Sequence, residues 1–255
     1  MPEGDTIRRT AAALQARLEG KKVLSAWPAS LRRLEGRQVQ AVEPVGKHLL
    51  IRFDGELTLH SHMRMTGSWH LYAAGAHWRI PKHRSRAVLA FDGVEAVCFN
   101  APVIELVRDP RRPVAHLGPD VLGEDFDLPE VMKRARGAAA ATVGELLLDQ
   151  RVCAGVGNIY KCEALWKRRV DPFTPPGQLG DQALASLYLE ARDLMRRSLA
   201  GSAFRPRHAV HARGGRPCPR CGTRIKVRPQ GLPARLTYWC PRCQPPEPPP
   251  TLTHP

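Results

Sequence analysis

Two short cysteine motifs near the C-terminus constrain the fold of this 255-residue chain more than any other feature. Each C-x-x-C motif forms a turn that directs two thiolates toward one ion, and two such turns complete the tetrahedral ligand set that zinc prefers. The segment between the two motifs reads as a β-hairpin, which favours zinc over an iron–sulfur cluster or a redox-active dithiol pair. Four protein ligands leave no open position for water, so we expect one structural Zn²⁺. Its ligands are Cys218, Cys221, Cys240 and Cys243.

The charge balance narrows the class of partner. Lys and Arg number 39, and Asp and Glu number 24, which gives a formal net charge of +15. Such a field favours a nucleic-acid partner, although a role in solubility, or a contact with the ribosome or a membrane surface, stays open. No apolar run approaches the roughly 20 residues of a membrane helix. The N-terminus lacks the apolar region of a secretory signal peptide, so we expect a cytoplasmic protein that does not enter a membrane.

Three further cysteines are scattered through the chain in apolar contexts: Cys98, Cys153 and Cys162. An odd total without a signal peptide argues against a disulfide framework. We expect these three thiols to be small buried side chains.

The first half of the chain reads as a helix followed by strands. Residues 3 to 18 place Ile7, Ala11, Leu14 and Leu18 at helical spacing. From residue 23 to about residue 108, two Asp-Gly steps separate alternating or apolar runs, which is a strong hairpin signal. These patterns predict a layered β-rich domain with a helix in front of it.

The second half changes to helical patterns. A segment rich in Gly, Pro and acidic residues reads as a linker. Thr142 and Glu145 then resemble a capping box, Asn158 is placed to cap a second helix, and a third helix ends at Gly201. We therefore predict an α+β multidomain protein with a β-rich domain at 1–118, a linker at 119–128, a helical domain at 129–206, a zinc module at 207–244 and a disordered Pro-rich tail at 245–255.

A glycine-rich turn lies between the first two helices of this second half. In the run 150–158, two glycines would let the backbone pass close to a ligand, and the free amides of the next helix would face an anion. The Gly157 backbone and the Asn158 side chain could therefore bind a DNA phosphate. A plain connection between two helices explains the same residues equally well.

The N-terminus offers a second kind of chemistry. If Met1 is removed, Pro2 becomes the chain end, and its secondary amine is a nucleophile that is partly neutral at pH 7. Glu3 beside it could donate or shuttle a proton. Taken alone, however, Pro and Glu often simply open a helix.

Four motifs in this order resemble one family. They are PEGDTIRR, VGKHLL, DQRVCAGVGNIYKCEALW, and the two C-x-x-C pairs with TYWCPRC. Together they are similar to the formamidopyrimidine-DNA glycosylase / endonuclease VIII family, from Pro2 to Gln244. The resemblance implies a two-layered β-sandwich with an N-terminal helix, then a helix-two-turns-helix domain with a zinc finger. It also implies excision of oxidised bases from damaged DNA, followed by strand cleavage through β,δ-elimination.

The resemblance implies a role for individual residues. Pro2 matches the Schiff-base nucleophile and Glu3 the general acid that helps to open the sugar ring. Lys47 matches a hairpin lysine that contacts the phosphate next to the lesion, although alone it reads as a solvated strand lysine. Asn158 matches a phosphate-binding asparagine, and Arg235 matches a zinc-finger arginine that binds the lesion phosphate.

Two segments match the family motifs less completely. In HMRMTG, Met65 matches the side chain that fills the gap left by a flipped base, although Met63 or Met65 could instead be a core residue of a strand. In RDPRRP, Arg111 matches a second gap-filling residue, while Pro113 stands where the family has Phe. We therefore expect weaker discrimination between opposite bases.

The length of one segment indicates the branch of the family. The segment 201–217 is shorter than the loop that covers a flipped purine in the 8-oxoguanine branch, which favours the endonuclease VIII-like branch and oxidised pyrimidines. Asp5 and Thr6 replace the usual Pro-Glu, so the role of a second acid is open. The resemblance suggests a monomer. A purine-selective glycosylase and a DNA-binding relative without catalysis are the alternatives.

Overall fold

The computed structural model describes residues 2–201 and 208–246, and it divides into two compact units, Met1–Leu117 and Gly118–Pro255. The domain and linker bounds expected from the sequence stay a prediction beside this division. Residues 202–207 and 247–255 lie outside the described ranges, and with them lie most of the expected tail and part of the shortened loop. None of the helices in the described ranges is both long and apolar enough to cross a membrane.

The described part of unit 1, Met1–Leu117, contains one α-helix, three short 3₁₀ helices and two four-stranded antiparallel sheets. One sheet has the order β1-β6-β7-β5 and the other β2-β3-β4-β8. Both sheets and the helix contribute to one apolar core. The elements are α1 (Gly4–Leu18), β1 (Ser25–Trp27), β2 (Val39–Val45), β3 (His48–Phe53), β4 (Leu57–His62), β5 (Ser68–Ala73), β6 (Ser85–Phe91), β7 (Val94–Phe99) and β8 (Val103–Val107).

The features expected of unit 1 are confirmed. The apolar face of α1 is buried at the four expected positions. Both Asp-Gly steps connect paired strands, with Gly55 and Gly93 at φ 68° and 72°, the left-handed region that glycine adopts without steric cost. The sequence therefore places the hairpins correctly because the turn chemistry is local.

Unit 2, Gly118–Pro255, contains a helical core and a terminal hairpin. Its elements are α2 (Leu128–Gly137), α3 (Val143–Leu146), α4 (Asn158–Arg168), α5 (Asp181–Ala200), β9 (Lys226–Gln230) and β10 (Arg235–Trp239). The helices share one apolar cluster. Val121 and Leu122, in the segment expected to be a linker, are buried in that cluster.

Two capping expectations have opposite outcomes. Thr142 caps α3 as expected, since its hydroxyl accepts a hydrogen bond from the Glu145 amide at 3.3 Å. The expectation that Asn158 caps α4 is wrong. Gly157 is the N-cap and Asn158 is the first helical residue. Asn158 instead uses its side chain for a long-range contact, which a local pattern cannot reveal.

Candidate functional site

The N-terminal segment places a buried carboxylate beside Pro2. Glu3 is the N-cap residue of α1 and is 1% exposed, yet its side chain makes no capping hydrogen bond. Its backbone carbonyl accepts the first helical hydrogen bond, from the Ile7 amide at 3.0 Å. An anion at this end of a helix is stabilised by the helix dipole. Pro2 itself is partly exposed.

Lys47 lies in the two-residue turn between β2 and β3. Val45 and His48 are paired across this turn, and Gly46 has φ 56°. Positive φ at the first turn residue suits a tight hairpin, and glycine supplies it at no steric cost. Lys47 is partly exposed at the end of the sheet.

The segment after β4 forms a tight loop that presents Met65. Met65 is 53% exposed, whereas Met63 is 2% exposed and belongs to the core. The Gly67 amide donates to Met63 O at 2.8 Å, and a Cβ at Gly67 would lie 2.6 Å from that oxygen. Glycine is therefore required for the loop to close. Of the two methionines, Met65 is the one available to another molecule.

Arg111 lies in an exposed loop after β8. Its backbone amide donates to Asp109 Oδ1 at 2.9 Å, and it is followed by a short 3₁₀ turn at Arg112–Val114. Pro113 lies within that turn, where its fixed φ is compatible with helical geometry.

Sequence reasoning missed a histidine cluster beside the Lys47 turn. It consists of His48, His60, His62 and His116, with the His48 and His62 ring centroids 4.6 Å apart. The register of β3 and β4 brings these rings together, because His48 pairs directly with His62. Register is set by long-range pairing, so the sequence alone did not bring these rings together.

In unit 2, the glycine turn leads into α4 as expected, but its polar side chain faces the hairpin. Asn158 Nδ2 donates to Leu236 O of β10 at 2.8 Å, and the side chain of Asn158 is largely buried. The amide nitrogen carries a second hydrogen, which this bond does not use. Gly157 is buried at the helix start.

Sequence reasoning also missed two polar residues of α4 that hold the C-terminal module. Lys161 is 0% exposed, and its Nζ donates to Thr237 Oγ1 of β10 at 2.6 Å. Glu163 accepts three consecutive backbone amides, those of residues 209–211, at 2.8 to 3.0 Å. Charged residues are seldom buried unless they are paired, so nothing in the sequence placed these two side chains in the interior.

The four cysteines of the two C-x-x-C motifs form one cluster, as expected. Their sulfur atoms all lie within 4.8 Å of one another, and three of the Sγ···Sγ distances are 3.4, 3.5 and 3.9 Å. A tetrahedron with Zn–S bonds of about 2.3 Å has edges of about 3.8 Å. The donor set therefore fits one metal ion of tetrahedral preference. Trp166 Nε1 donates to Cys218 Sγ at 3.4 Å, a bond that would stabilise a ligating thiolate.

Arg235 is the first residue of β10, opposite Gln230 in the hairpin. It is partly exposed. The hairpin is fixed to α4 through Leu236 and Thr237, the two residues that follow Arg235. The scattered cysteines are buried as expected.

Two family models match the chain. The model described as the formamidopyrimidine-DNA glycosylase N-terminal domain matches residues 1–112, and that described as the formamidopyrimidine-DNA glycosylase H2TH domain matches residues 117–206. A Streptomyces coelicolor protein named probable endonuclease 8 2 is 42% identical over 96% of this chain and 94% of its own length. The chain belongs to the formamidopyrimidine-DNA glycosylase family.

Other members of the formamidopyrimidine-DNA glycosylase family are similar along nearly the whole chain. The DNA-(apurinic or apyrimidinic site) lyase Nei2 of Mycolicibacterium smegmatis is 37% identical over 96% of this chain and 99% of its own. The Thermus thermophilus formamidopyrimidine-DNA glycosylase is 32% identical over 96% and 97%. A solved complex of the Lactococcus lactis enzyme with abasic-site DNA has a TM-score of 0.83 at 23% identity, covering 96% and 100%. The fold expected from the sequence is confirmed.

Proposed function

We propose that this protein is a bifunctional DNA glycosylase and abasic-site lyase of the endonuclease VIII-like branch, with oxidised pyrimidines as its substrates. The observation that carries the proposal is Glu3, a carboxylate 1% exposed at the first turn of a helix and next to Pro2. An acid buried next to Pro2 is placed to exchange a proton with a sugar bound at the Pro2 nitrogen. Relatives named endonuclease 8 and abasic-site lyase support the reaction type.

The first chemical step joins the protein to the sugar. With Met1 removed, the lone pair of the Pro2 nitrogen attacks C1′ of a flipped nucleotide, and the bond from C1′ to the damaged base breaks. The base leaves with the electron pair of that bond and takes a proton from solvent, and the proton that the Pro2 nitrogen loses passes to the Glu3 carboxylate. The C1′–O4′ bond then breaks with its electron pair passing to O4′, which takes a proton from Glu3. The product is an open sugar held to Pro2 as an iminium.

The second stage cleaves the strand. The iminium makes the C2′ hydrogen acidic, and loss of that proton expels the 3′ phosphate with the electron pair of its C–O bond. A second proton loss, from C4′, expels the 5′ phosphate. Water then hydrolyses the remaining adduct and regenerates the Pro2 amine. The outcome is a one-nucleotide gap with phosphate at both ends.

The other site residues bind the damaged strand. We propose that Lys47, Asn158, the Gly157 backbone and Arg235 contact phosphates, and that Met65 and Arg111 occupy the gap left by the flipped nucleotide. The partial exposure of Lys47 and Arg235 and the 53% exposure of Met65 support these roles. The protein would act as a monomer, in the cytoplasm.

One Zn²⁺ would be held by the four cysteines of the C-x-x-C motifs. When bound, it supplies the folding constraint of the C-terminal hairpin rather than a reactive water, because the four thiolates fill its coordination shell. Arg235 would thereby be held on a rigid hairpin.

Borohydride trapping tests the proposal. Wild type, Pro2→Gly, Glu3→Gln and the control Glu19→Gln, at the far end of α1, are incubated with thymine glycol or abasic duplexes. We expect an adduct that mass spectrometry maps to Pro2, and slower cleavage by Pro2→Gly, whose imine must be protonated first. Glu3→Gln should lose base excision by at least about 100-fold. It should still cleave abasic DNA, where the sugar already opens to an aldehyde.

Three results would redirect the proposal. Absence of an adduct, from protein that begins at Pro2 and holds zinc, would indicate a DNA-binding relative without catalysis. An adduct with 8-oxoguanine duplex but not with thymine glycol would indicate a purine-selective glycosylase. An adduct at a lysine would remove Pro2 from the mechanism.

A further inference from the structure

Three side chains from neighbouring strands of unit 1 form a hydrogen-bonded chain. Glu105 Oε1 of β8 lies 2.7 Å from His60 Nδ1 of β4, and His60 Nε2 lies 2.8 Å from His48 Nδ1 of β3. The His60 side chain is 4% exposed, whereas that of Glu105 is 51% exposed. The chain therefore runs from a carboxylate at the surface, through a buried ring, to the first residue of β3.

The strand register shows why the chain is separate from the apolar core. Glu105 pairs with His60, so their side chains share one face of the sheet, and alternation places His48 on that same face. Leu49 and Leu59, on the opposite face, are fully buried in the core. The histidines thus form a polar layer on the outer side of the sheet.

With neutral rings, the hydrogen bonds have one direction. Glu105 is an acceptor, so His60 carries its hydrogen on Nδ1 and offers the lone pair of Nε2. His48 must then donate from Nδ1. His62 has the opposite tautomer, because its Nδ1 accepts the Arg64 amide at 3.0 Å and its hydrogen is on Nε2.

The hydrogen-bonded series of side chains ends at His48, where the Lys47 turn and the Met65 loop, both proposed to contact DNA, leave the sheet. His48 directly follows Lys47, and His62 is the last residue before the loop that presents Met65. The rings of His48 and His62 meet edge to face, with centroids 4.6 Å apart and planes at 85°. A displacement of His48 would therefore move both the turn and the loop.

The surroundings keep the rings of His48 and His62 neutral. Burial, followed by the charges of the neighbouring groups, lowers the pKa of His48 to about 3. Burial, Arg64 and Lys47, in that order, lower the pKa of His62 to about 4. The charged and titratable groups around the two rings are Lys47, Arg64, His60 and His116, with Glu105 at the end of the chain.

We propose that Glu105, His60 and His48 are positioning residues, which fix the strand ends from which Lys47 and Met65 contact DNA and hold the adjacent rings in one tautomer. This role rests on the proposed function. A buried polar network is costly unless every member is satisfied, and once satisfied it fixes one geometry. An apolar ring at position 60 would fill the same space and leave His48 unoriented.

The tautomers are measured first, by ¹⁵N NMR of the wild-type histidines at pH 7. We expect hydrogen on Nδ1 of His48 and His60 and on Nε2 of His62. A His60 with its hydrogen on Nε2, or doubly protonated, would overturn the chain whatever the catalytic activity.

The positioning role is measured by single-turnover cleavage of abasic DNA at saturating enzyme. His60→Phe should lower the rate constant at least tenfold at a temperature where its melting curve shows the variant to be fully folded. Glu105→Gln, which keeps an acceptor oxygen, should retain more activity than Glu105→Ala. The matched control is Glu95→Gln, since Glu95 accepts a ring N–H from Trp78 at 3.0 Å on the other sheet. Its rate should equal that of wild type.

A double-mutant cycle separates positioning from a general loss of structure. Lys47→Gln should cost much less in the His60→Phe background than in wild type, because both changes act on one element. Independent effects that multiply, or a His60→Phe rate within twofold of wild type, would overturn the role. A wild-type protein that fails to cleave abasic DNA would contradict the proposed function instead, and the NMR result would then stand alone.

Discussion

At the scale of single residues, burial separates side chains that have the same chemistry. Met63 and Met65 are two positions apart, so a strand pattern would place both on one face. The tight loop closed at Gly67 breaks that alternation and leaves Met63 at 2% and Met65 at 53% exposure. The loop geometry, rather than the residue type, assigns one methionine to the core and the other to the surface.

The two methionines should respond differently to the same substitution. Met65→Ala should leave stability within about 0.5 kcal/mol of wild type but weaken excision, since nothing then fills the gap in the stack. Met63→Ala should cost about 2–5 kcal/mol because it opens a cavity. Urea unfolding and single-turnover excision measure the pair. Equal excision by Met65→Ala and wild type would contradict the gap-filling role.

Residue-level prediction from the sequence succeeded where the determinant was local and failed where it was distant. Glu145 three residues after Thr142 was enough to predict a cap. Asn158 was wrongly predicted to cap α4, because the partner of its side chain, Leu236, lies 78 residues away. The histidine chain was missed for the same reason, since His60 and Glu105 meet only through the strand register.

At the scale of elements, the C-terminal hairpin has two kinds of support. One is the cysteine cluster, whose donors fit a single tetrahedral ion. The other is α4, which holds the hairpin through Asn158 and Lys161. The cysteine spacing predicted the first, because ligand spacing is readable in a sequence. The contact with α4 depends on which face of that helix the hairpin covers, and only the packing of the folded protein shows this.

Removal of zinc should unfold this module and abolish DNA binding. Without the ion the cysteines take up protons again, and nothing then holds the four sulfur atoms in tetrahedral geometry. Chelation followed by fluorescence anisotropy with an abasic duplex measures the loss, and re-addition of Zn²⁺ should restore binding. Cys221→Ala should reproduce the loss, whereas Cys98→Ala, in the core of unit 1, should keep zinc and affinity. Full binding by protein verified to be metal-free would contradict the expectation.

At the scale of the whole molecule, the net charge of +15 is the dominant electrostatic property. It was read from composition alone and required no knowledge of the fold. Charge sets the strength of attraction to a polyanion, but not the position of the contacts. The individual cations Lys47 and Arg111 became candidates only through the family motifs.

DNA affinity should therefore fall steeply with salt. Two cationic phosphate contacts, by Lys47 and Arg235, imply a loss of at least about 12-fold in affinity between 50 and 200 mM salt, because each contact releases about 0.9 counterion. Arg235→Gln should reduce the slope of log K against log salt by about 0.9. Arg52→Gln is the control, since Arg52 is paired with Glu43 at 3.0 Å. An affinity independent of salt would rule out phosphate contacts as its basis.

The anchoring of residues 209–211 by Glu163 has a consequence for how such a protein can diversify. Three backbone amides bound to one carboxylate of α4 fix the entry to the C-terminal module at a set point on the helical core. The number of residues between α5 and that point can then change without moving the hairpin, because the entropy of closing a loop grows only slowly with its length. Relatives of this chain can therefore differ in length at this connection while the C-terminal hairpin keeps its place on the helical core.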